Sequence, residues 1–494
     1  MKVQSSLMRE VDHFINGAFV PAASGARLTR ENPATGQPLR LIARGDSVDV
    51  AQAADAARRA FEVWGKTPAS ERSSILLAIA AGIDARLDEL AQLECEDTGK
   101  PLSLARSLDI PRAAANFRFY ATAILHESSE SFLTERPARA INYVLRKPLG
   151  TVACISPWNL PLYLFTWKIA PALAAGNCVI AKPSELTPTT ATVLCDIARN
   201  AGLPAGVLNV IHGLGAEAGQ AIVDCPSVRA VTFTGGTATG RRLAARCGER
   251  LIPVSLELGG KNAAIVCADA DLAVAVPEIA RSAFLNQGEI CLCSSRILVH
   301  RSRMKEFTER FIDATRSLRI GDPLAPESDL GALISKAHRE KVMAAIERGV
   351  ADGGVIATGG EIPRGLPPRV ADGAFLQPTV LLGVPHTSAC VQEETFGPVV
   401  TIHGFDAHRD AVTMTNGTRY GLAASVWTRD LSRAHRFAAR IDAGTVWVNC
   451  WMMRDLRVPF GGVKDSGIGR EGGNEALRFL SDVSNVCIHM GEAL

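Results

Sequence analysis

Five stretches of this chain carry residue types that could act on a reactive carbonyl. In Asn286-Gln287-Gly288-Glu289-Ile290-Cys291-Leu292-Cys293 a helix-like run breaks at Gly288 and a β-rich run comes after it, so a thiol is presented at a turn. A cysteine in a chain with twelve of them is ordinarily a small buried hydrophobe, and only its surroundings single one out as a nucleophile. Asn159 stands between Pro157 and Pro161 just after a strand-like run, where open α/β sheets bind ligands, and its carboxamide can donate to an oxyanion. Lys182-Pro183-Ser184-Glu185 ends the next such run and offers a cation and a carboxylate suited to ribose hydroxyls. Phe233-Thr234-Gly235-Gly236-Thr237-Ala238-Thr239-Gly240 joins strand to helix through glycines, so backbone amides at the helix start can meet a pyrophosphate. Glu257 leads Leu258-Gly259-Gly260-Lys261, a carboxylate with a flexible turn behind it. A thiol, an oxyanion donor, a base and a phosphate-binding turn are the parts that covalent oxidation of an aldehyde requires.

The elements around these residues are predicted to place them together. Apolar positions at helical spacing over 49–64 and 69–94, ending at Thr98-Gly99-Lys100-Pro101, predict an N-terminal helical layer. Short β-rich runs at 151–155, 178–182, 207–211, 230–234 and 253–258 alternate with helix-like stretches at 163–174, 189–200, 215–223 and 237–248. That order predicts a parallel sheet with helices on both faces. A second α/β series comes next, with helices at 272–285, 303–317 and 336–352 and strands near 295–299, 377–381, 398–402 and 445–449. Two isolated alternating segments, 140–146 and 486–490, can pair only with each other or with another subunit and are expected to form an oligomerisation arm.

The chain has 494 residues, 47% hydrophobic and 21% charged, too many for one ordinary core and too apolar for a disordered or fibrous chain. Lys plus Arg number 53 against 51 for Asp plus Glu, so no global field favours nucleic acid or an anionic membrane surface. Neither a C-x-x-C pair nor zinc-ligand spacing occurs, and no metal site is expected. The cysteines read as free thiols of a reducing cytosol. Residues 1–14 lack a secretory pattern, and the most apolar stretch, 161–181, is interrupted by Lys168 and prolines, so a cytoplasmic protein without a membrane span is expected.

Taken jointly and in order, Pro157-Trp158-Asn159-Leu160-Pro161, Glu257-Leu258-Gly259-Gly260-Lys261, Asn286-Gln287-Gly288 with Cys291, and Glu393-Glu394-Thr395-Phe396-Gly397-Pro398 resemble the aldehyde dehydrogenases. The likeness runs from Phe14-Ile15-Asn16-Gly17 and Asn32-Pro33-Ala34-Thr35-Gly36 to Ser466-Gly467-Ile468-Gly469-Arg470-Glu471. It implies an α/β fold with a Rossmann-type NAD-binding domain (1–125 and 148–258), an α/β catalytic domain (259–460) and a small β arm for oligomerisation (126–147 and 476–494). It makes Cys291 the nucleophile, Glu257 the general base and Asn159 the oxyanion donor. Lys182 and Glu185 become ligands of the adenosine ribose and Glu394 a ligand of the nicotinamide ribose. Gly235 and Thr237 fall in the pyrophosphate turn, and Ile155, Trp158, Gly215, Leu258 and Phe396 complete the implied cofactor site. Glu185 can hold a free 2′-hydroxyl but repels a 2′-phosphate, so NAD is expected over NADP. Many relatives carry a Ser where this chain has Gly236, so the phosphate contact here is expected to come from backbone. Cys293 is the rival thiol, two positions beyond the one the resemblance assigns.

For the substrate, Arg454 in Trp451-Met452-Met453-Arg454-Asp455-Leu456-Arg457 stands where most relatives have an aromatic or apolar residue bordering the substrate funnel. A guanidinium facing a small-molecule pocket matches a carboxylate. Arg112, in Asp109-Ile110-Pro111-Arg112, is expected near a helix start, where the macrodipole disfavours a cation and a surface pairing is less comfortable. Salt bridges to Asp109 or Asp455 are the alternative, and Arg457 ranks below Arg454. These segments resemble the 2-hydroxymuconate and 2-aminomuconate semialdehyde dehydrogenase branch, which implies a carboxylated aldehyde spanning from Arg112 and Arg454 to Cys291, with Trp167 and Phe460 also lining the pocket. In that branch the asparagine has been proposed to help isomerise the substrate, which extends to Asn159. Other semialdehyde, betaine or aliphatic aldehyde dehydrogenases keep the same catalytic set, and an idle structural homologue is the reading from a different class. A homodimer or homotetramer is expected.

Overall fold

The computed structural model describes residues 9–491; positions 1–8 and 492–494 of the expected NAD-binding and arm segments lie outside the described residues. Two large sheets and three small ones are formed by the described residues. In the first, five parallel strands lie in the order Val254–Glu257, Val228–Thr234, Thr151–Ile155, Cys178–Lys182, Leu208–Val210. Antiparallel strands flank them: Gly467–Ile468 beside Val254–Glu257, and the hairpin His13–Ile15 and Ala18–Val20 beside Leu208–Val210. Of the five parallel strands the first in the chain, Thr151–Ile155, lies in the middle, and the later ones are added outward on both sides. The strand order therefore reverses between Thr151–Ile155 and Val228–Thr234, and at such a reversal the carboxyl ends of the strands leave a crevice. Asn159 and Gly235 come directly after these two strands.

The second sheet has seven strands in the order Val355–Thr358, Thr379–Leu382, Val399–Phe405, Ser294–His300, Asn262–Val266, Ala423–Trp427, Thr445–Val448, all parallel except the first pair. The alternating series read from the sequence therefore forms sheets as expected. Two central strands of the second sheet, Asn262–Val266 and Ala423–Trp427, were not anticipated. Every residue in both is buried, so no polar side marks them, and their Ala and Ser content hides the strand signal.

The helix expected over 69–94 is two, Ala69–Ala85 and Leu87–Thr98, because Arg86 leaves the helical conformation (φ −114°, ψ 24°). Gly99 stops the second in the left-handed conformation, as the Gly-Lys-Pro run predicts. Arg112 is not at a free helix start. Leu102–Leu104, a π turn at Ala105–Asp109 and Ile110–Ala123 run on without a break, so the macrodipole argument does not apply to it. Ala140–Pro148 pairs antiparallel with Ser481–His489, with Ile141 opposite Ile488, and Ser131–Thr134 adds an unanticipated third strand. Among the described residues no helix is long and apolar enough to cross a membrane.

Candidate active site

The turn that leads to Cys291 is built from unusual backbone. Asn286, Gln287 and Gly288 are all left-handed (φ 53°, 56° and 71°), and only Gly adopts that conformation without steric cost. Gly288 is also packed tightly: a Cβ there would lie 2.4 Å from the Gly397 carbonyl oxygen. Side-chain N–H groups hold the segment from Cys291 to Cys293. Asn262 Nδ2 donates to the carbonyls of Cys291 (2.7 Å) and Cys293 (3.0 Å), and Trp451 Nε1 donates to Leu292 O at 3.0 Å. Cys291 is half-buried, whereas Cys293 is buried with its thiol 3.9 Å from the Leu285 carbonyl. Desolvation, followed by the charges of Glu394 and Glu257, pushes the Cys291 thiol up to about 12; Arg454 and the Cys291 backbone N–H pull the other way.

Asn159 Nδ2 donates to the Glu289 carbonyl at 2.8 Å, which orients the carboxamide and leaves its second hydrogen for another acceptor. The Asn159 main chain is fixed as well, its carbonyl accepting from Asn286 Nδ2 (3.2 Å) and from Lys100 Nζ (2.9 Å). Lys100 is wholly buried and ion-paired with Asp109. Beside them, Glu94 accepts from the Leu162 amide (3.3 Å) and the Thr190 hydroxyl (3.0 Å); burial and the nearby Asp109 push its carboxyl up to about 8. Lys100, Asp109 and Glu94 escaped the sequence reading because nothing local marks a buried ion pair.

Glu257 ends its strand opposite Thr234, and its carbonyl accepts from the Gly235 amide at 3.0 Å. Both carboxylate oxygens are buried without a partner among the described residues. Burial, then the charge of Glu471, hold this carboxyl well above the usual range against Lys168, Arg454 and Arg470. Glu471 itself is engaged by Lys168 Nζ (2.6 Å) and Thr232 Oγ1 (2.8 Å). A Cβ at Gly461 would lie 2.6 Å from Glu257 Oε1, so only glycine leaves the carboxylate its room.

A cavity of about 560 Å³ opens beside Cys291 and is lined by Trp158, Asn159, Gly235, Leu258, Glu394 and Phe396 among others. Glu394 is anchored by the Gly260 amide (2.9 Å), and burial pushes its carboxyl up to about 7. The helix Thr237–Glu249 begins after Gly236 with no side-chain cap, and the hydroxyls of Thr234 and Thr237 are buried without partners among the described residues. Uncapped amides and orphaned hydroxyls beside a cavity suit an anionic group. Gly240 lets this helix close on Leu258, whose Cδ2 would lie 2.4 Å from a Cβ there. Lys182 and Glu185 form an ion pair at 3.1 Å, and the turn starting at Gly215 runs past Lys182, whose Cδ is 3.5 Å from where a Gly219 Cβ would be. Ile155 ends the strand that leads into Trp158. Lys182, Glu185, Gly215, Thr237 and Ile155 do not line this cavity.

Arg112 and Arg454 come together around a residue the sequence reading missed. Arg454 Nη1 donates to the Tyr163 hydroxyl at 3.0 Å, and the Arg112 guanidinium carbon lies 5.4 Å from the Tyr163 ring centre. Tyr163 and Trp167 share one face of Pro161–Ala174 at a four-residue spacing, which was the available signal. Trp167 and Phe460 complete the surround of Arg454, at 5.1 and 3.8 Å from its guanidinium carbon. The alternative salt bridges are absent: Asp109 pairs with Lys100, and Asp455 pairs with Arg457 at 2.6 Å. Nε and Nη2 of Arg112 are buried without a partner among the described residues. Burial, opposed by Tyr163 and aided by Arg454, draws the Arg112 guanidinium down from its ordinary range.

The sequence pattern described as "Aldehyde dehydrogenase family" matches residues 19–486. The chain is 47% identical to a protein of Pseudomonas sp. (strain CF600) described as 2-hydroxymuconic semialdehyde dehydrogenase, over 98% of this chain and 100% of that one. It is 45% identical to 2-aminomuconic semialdehyde dehydrogenase of Bos taurus, over 97% of this chain and 98% of that one. A solved structure described as indole-3-acetaldehyde dehydrogenase in complex with NAD+ superposes with a TM-score of 0.95 at 37% identity, covering 98% of each chain.

Proposed function

This chain belongs to the aldehyde dehydrogenase family, and from that membership we propose that it oxidises a carboxylated semialdehyde to the dicarboxylate with NAD, the substrate being 2-hydroxymuconate or 2-aminomuconate 6-semialdehyde. The observation that carries the substrate class is Arg112: a buried guanidinium with two unpartnered nitrogens beside Arg454 calls for an anionic ligand. The names of the relatives support the same class.

In this reading the Cys291 thiol loses its proton to water in the cavity as its sulfur adds to the aldehyde carbon. The oxyanion of the resulting thiohemiacetal accepts from the free Asn159 Nδ2 hydrogen and the Cys291 backbone N–H. When bound, NAD supplies the hydride acceptor for this carbon. The cofactor is held by the uncapped amides of Gly236 and Thr237 beside Gly235, by Lys182 and Glu185 at the adenosine ribose and by Glu394 at the other ribose, with Ile155, Trp158, Gly215, Leu258 and Phe396 around it. The Thr234 and Thr237 hydroxyls fit it as donors otherwise left unmade. Glu257 then takes a proton from the water that attacks the Cys291 thioester, which releases the carboxylic acid and frees the thiol. Arg112 and Arg454 hold the distant carboxylate throughout, with Trp167 and Phe460 as apolar walls.

In domain terms, the chain to 125 and 148–258 forms the NAD-binding unit, 259–460 the catalytic unit, and 126–147 with 476–494 the arm. The apolar residues on the arm, Phe132 (61% exposed), Leu133 (55%), Val483 (56%) and Ile488 (49%), support a homodimer or homotetramer. Twelve cysteines with no disulfide among them support a cytoplasmic location.

The deciding experiment is NAD reduction by the purified protein with freshly generated 2-hydroxymuconate semialdehyde against hexanal. A strong preference for the carboxylated aldehyde is expected. Equal use of the two would discard the substrate class and keep the dehydrogenase chemistry.

A further inference from the structure

The helix Lys336–Ala351 contributes His338 to the wall of the cavity that also holds Cys291. Ser335 Oγ accepts from the His338 amide at 3.1 Å and so fixes the first turn of that helix. His338 Nε2 lies 2.7 Å from the Phe396 carbonyl oxygen; a carbonyl only accepts, so this nitrogen carries the proton. Glu289 Oε1, the other acceptor nearby, is 3.7 Å away and out of hydrogen-bond range. The His338 ring meets Trp158 edge-on with centroids 5.4 Å apart, and Trp158 meets Phe396 at 5.3 Å with planes 89° apart.

Phe396 has a φ of +54°, a conformation that bulky residues avoid and that persists only where neighbours enforce it. The next residue, Gly397, is the one whose carbonyl the Gly288 backbone packs against. The backbone that His338 grips is thus continuous with the surface on which the nucleophile turn is seated.

We propose that His338 is a positioning residue for the dinucleotide: its Nε2–H fixes the Phe396 carbonyl and with it the Trp158–Phe396 corner of the cavity that receives the nicotinamide end. The inference rests on the NAD-dependent reading above and goes beyond it by assigning a residue that touches neither aldehyde nor thiol.

The test is NAD binding to the aldehyde-free full-length enzyme, read by tryptophan fluorescence, together with steady-state kinetics with NAD and 2-hydroxymuconate semialdehyde; the Kd for NAD should move as its KM does. His338→Phe keeps a ring and removes the donor, whereas His338→Gln keeps a donor. H338F should raise KM for NAD about three- to tenfold, the effect of one hydrogen bond, with KM for the aldehyde unchanged, and H338Q should recover most of the loss. His338→Asn, whose shorter amide falls short of Phe396, gives the same readout where the phenylalanine variant does not fold. An unchanged KM for NAD, equal rises in both KM values, or H338Q as impaired as H338F would overturn the assignment while the dehydrogenase reading stands. A parent enzyme that reduces no NAD would overturn both.

Discussion

The guanidinium carbon of Arg454 lies 3.8 Å from the centre of the Phe460 ring, closer than its 5.1 Å to Trp167. Aromatic faces at this range hold a cation in place and take it partly out of water, which strengthens its attraction for an incoming anion. With Tyr163 tying down Nη1, the rest of the fork stays available. Replacing Arg112 and Arg454 together by Ala should therefore cut kcat/KM for the muconate semialdehyde by at least about a hundredfold, each charged hydrogen bond contributing about 1.5–3 kcal/mol. Hexanal should be oxidised as before. A ratio of the two activities that does not move would remove the carboxylate clamp.

On the proposed mechanism, Glu257→Gln should separate the two halves of the reaction. The first turnover should still deliver a burst of NADH in a stopped-flow trace, while the steady-state rate falls by about 10²–10⁴-fold because the thioester has lost its base. Since burial and Glu471 hold the Glu257 carboxyl up, its base form grows as pH rises, and hydrolysis of the acyl-enzyme in the parent should accelerate towards alkaline pH. Parent-rate turnover in the glutamine variant would end this assignment.

Glu185→Ser should raise kcat/KM for NADP relative to NAD by at least about tenfold, by removing a negative charge from the place a 2′-phosphate would occupy. Lys182, now without its 3.1 Å partner, would favour the same change. No shift in the NADP to NAD ratio would place the adenosine ribose elsewhere.

Glu94 makes the stability of the fold depend on pH. Its carboxyl is held up at about 8, largely by burial, whereas an unfolded glutamate titrates near 4.3. The folded state therefore keeps a proton that the unfolded state gives up. The stability this supplies is complete below the unfolded value and is lost as pH rises through the folded one. The melting temperature should fall from about pH 4 to about pH 8 in the parent, level off above that, and fall less in Glu94→Gln, which stays neutral throughout. Parallel curves for the two proteins would show that Glu94 is not the group responsible.

Charges placed on the arm test its role. Phe132→Glu combined with Ile488→Glu should convert an oligomer to a smaller species by mass photometry, since both side chains are well exposed on the three-stranded sheet. A parent that is already a stable monomer would count against the arm.

The sequence was most legible where chemistry demands particular residues in order. Asn159 stands in a short motif after a strand end, and Cys291 and Glu394 stand in short motifs that run into a strand, Ser294–His300 and Val399–Phe405; the β-rich runs beside them show in Val and Ile content. Tyr163 and His338 were missed because nothing adjacent in the chain marks them: their partners Arg454 and Phe396 lie 291 and 58 residues away. The strands Asn262–Val266 and Ala423–Trp427 were missed because burial on both faces erases alternation. Arg112 was expected near a helix start; the π turn before it lets the helix continue through, and what sets it apart is instead its place beside Tyr163 and Arg454.

The strand that carries Glu257 is completed from very far along the chain. Gly467 pairs with Glu257 and Ile468 with Leu256, and the Leu258 amide donates to the Ser466 carbonyl at 2.9 Å. During synthesis, roughly two hundred residues must leave the ribosome after this strand before its outer edge is covered. Until then it presents unpaired backbone to any neighbouring nascent chain, the condition under which strands join the wrong partner. Truncation upstream of Ser466 should thus yield inclusion bodies rather than a smaller enzyme, and chaperone dependence should concentrate in the interval before this segment emerges.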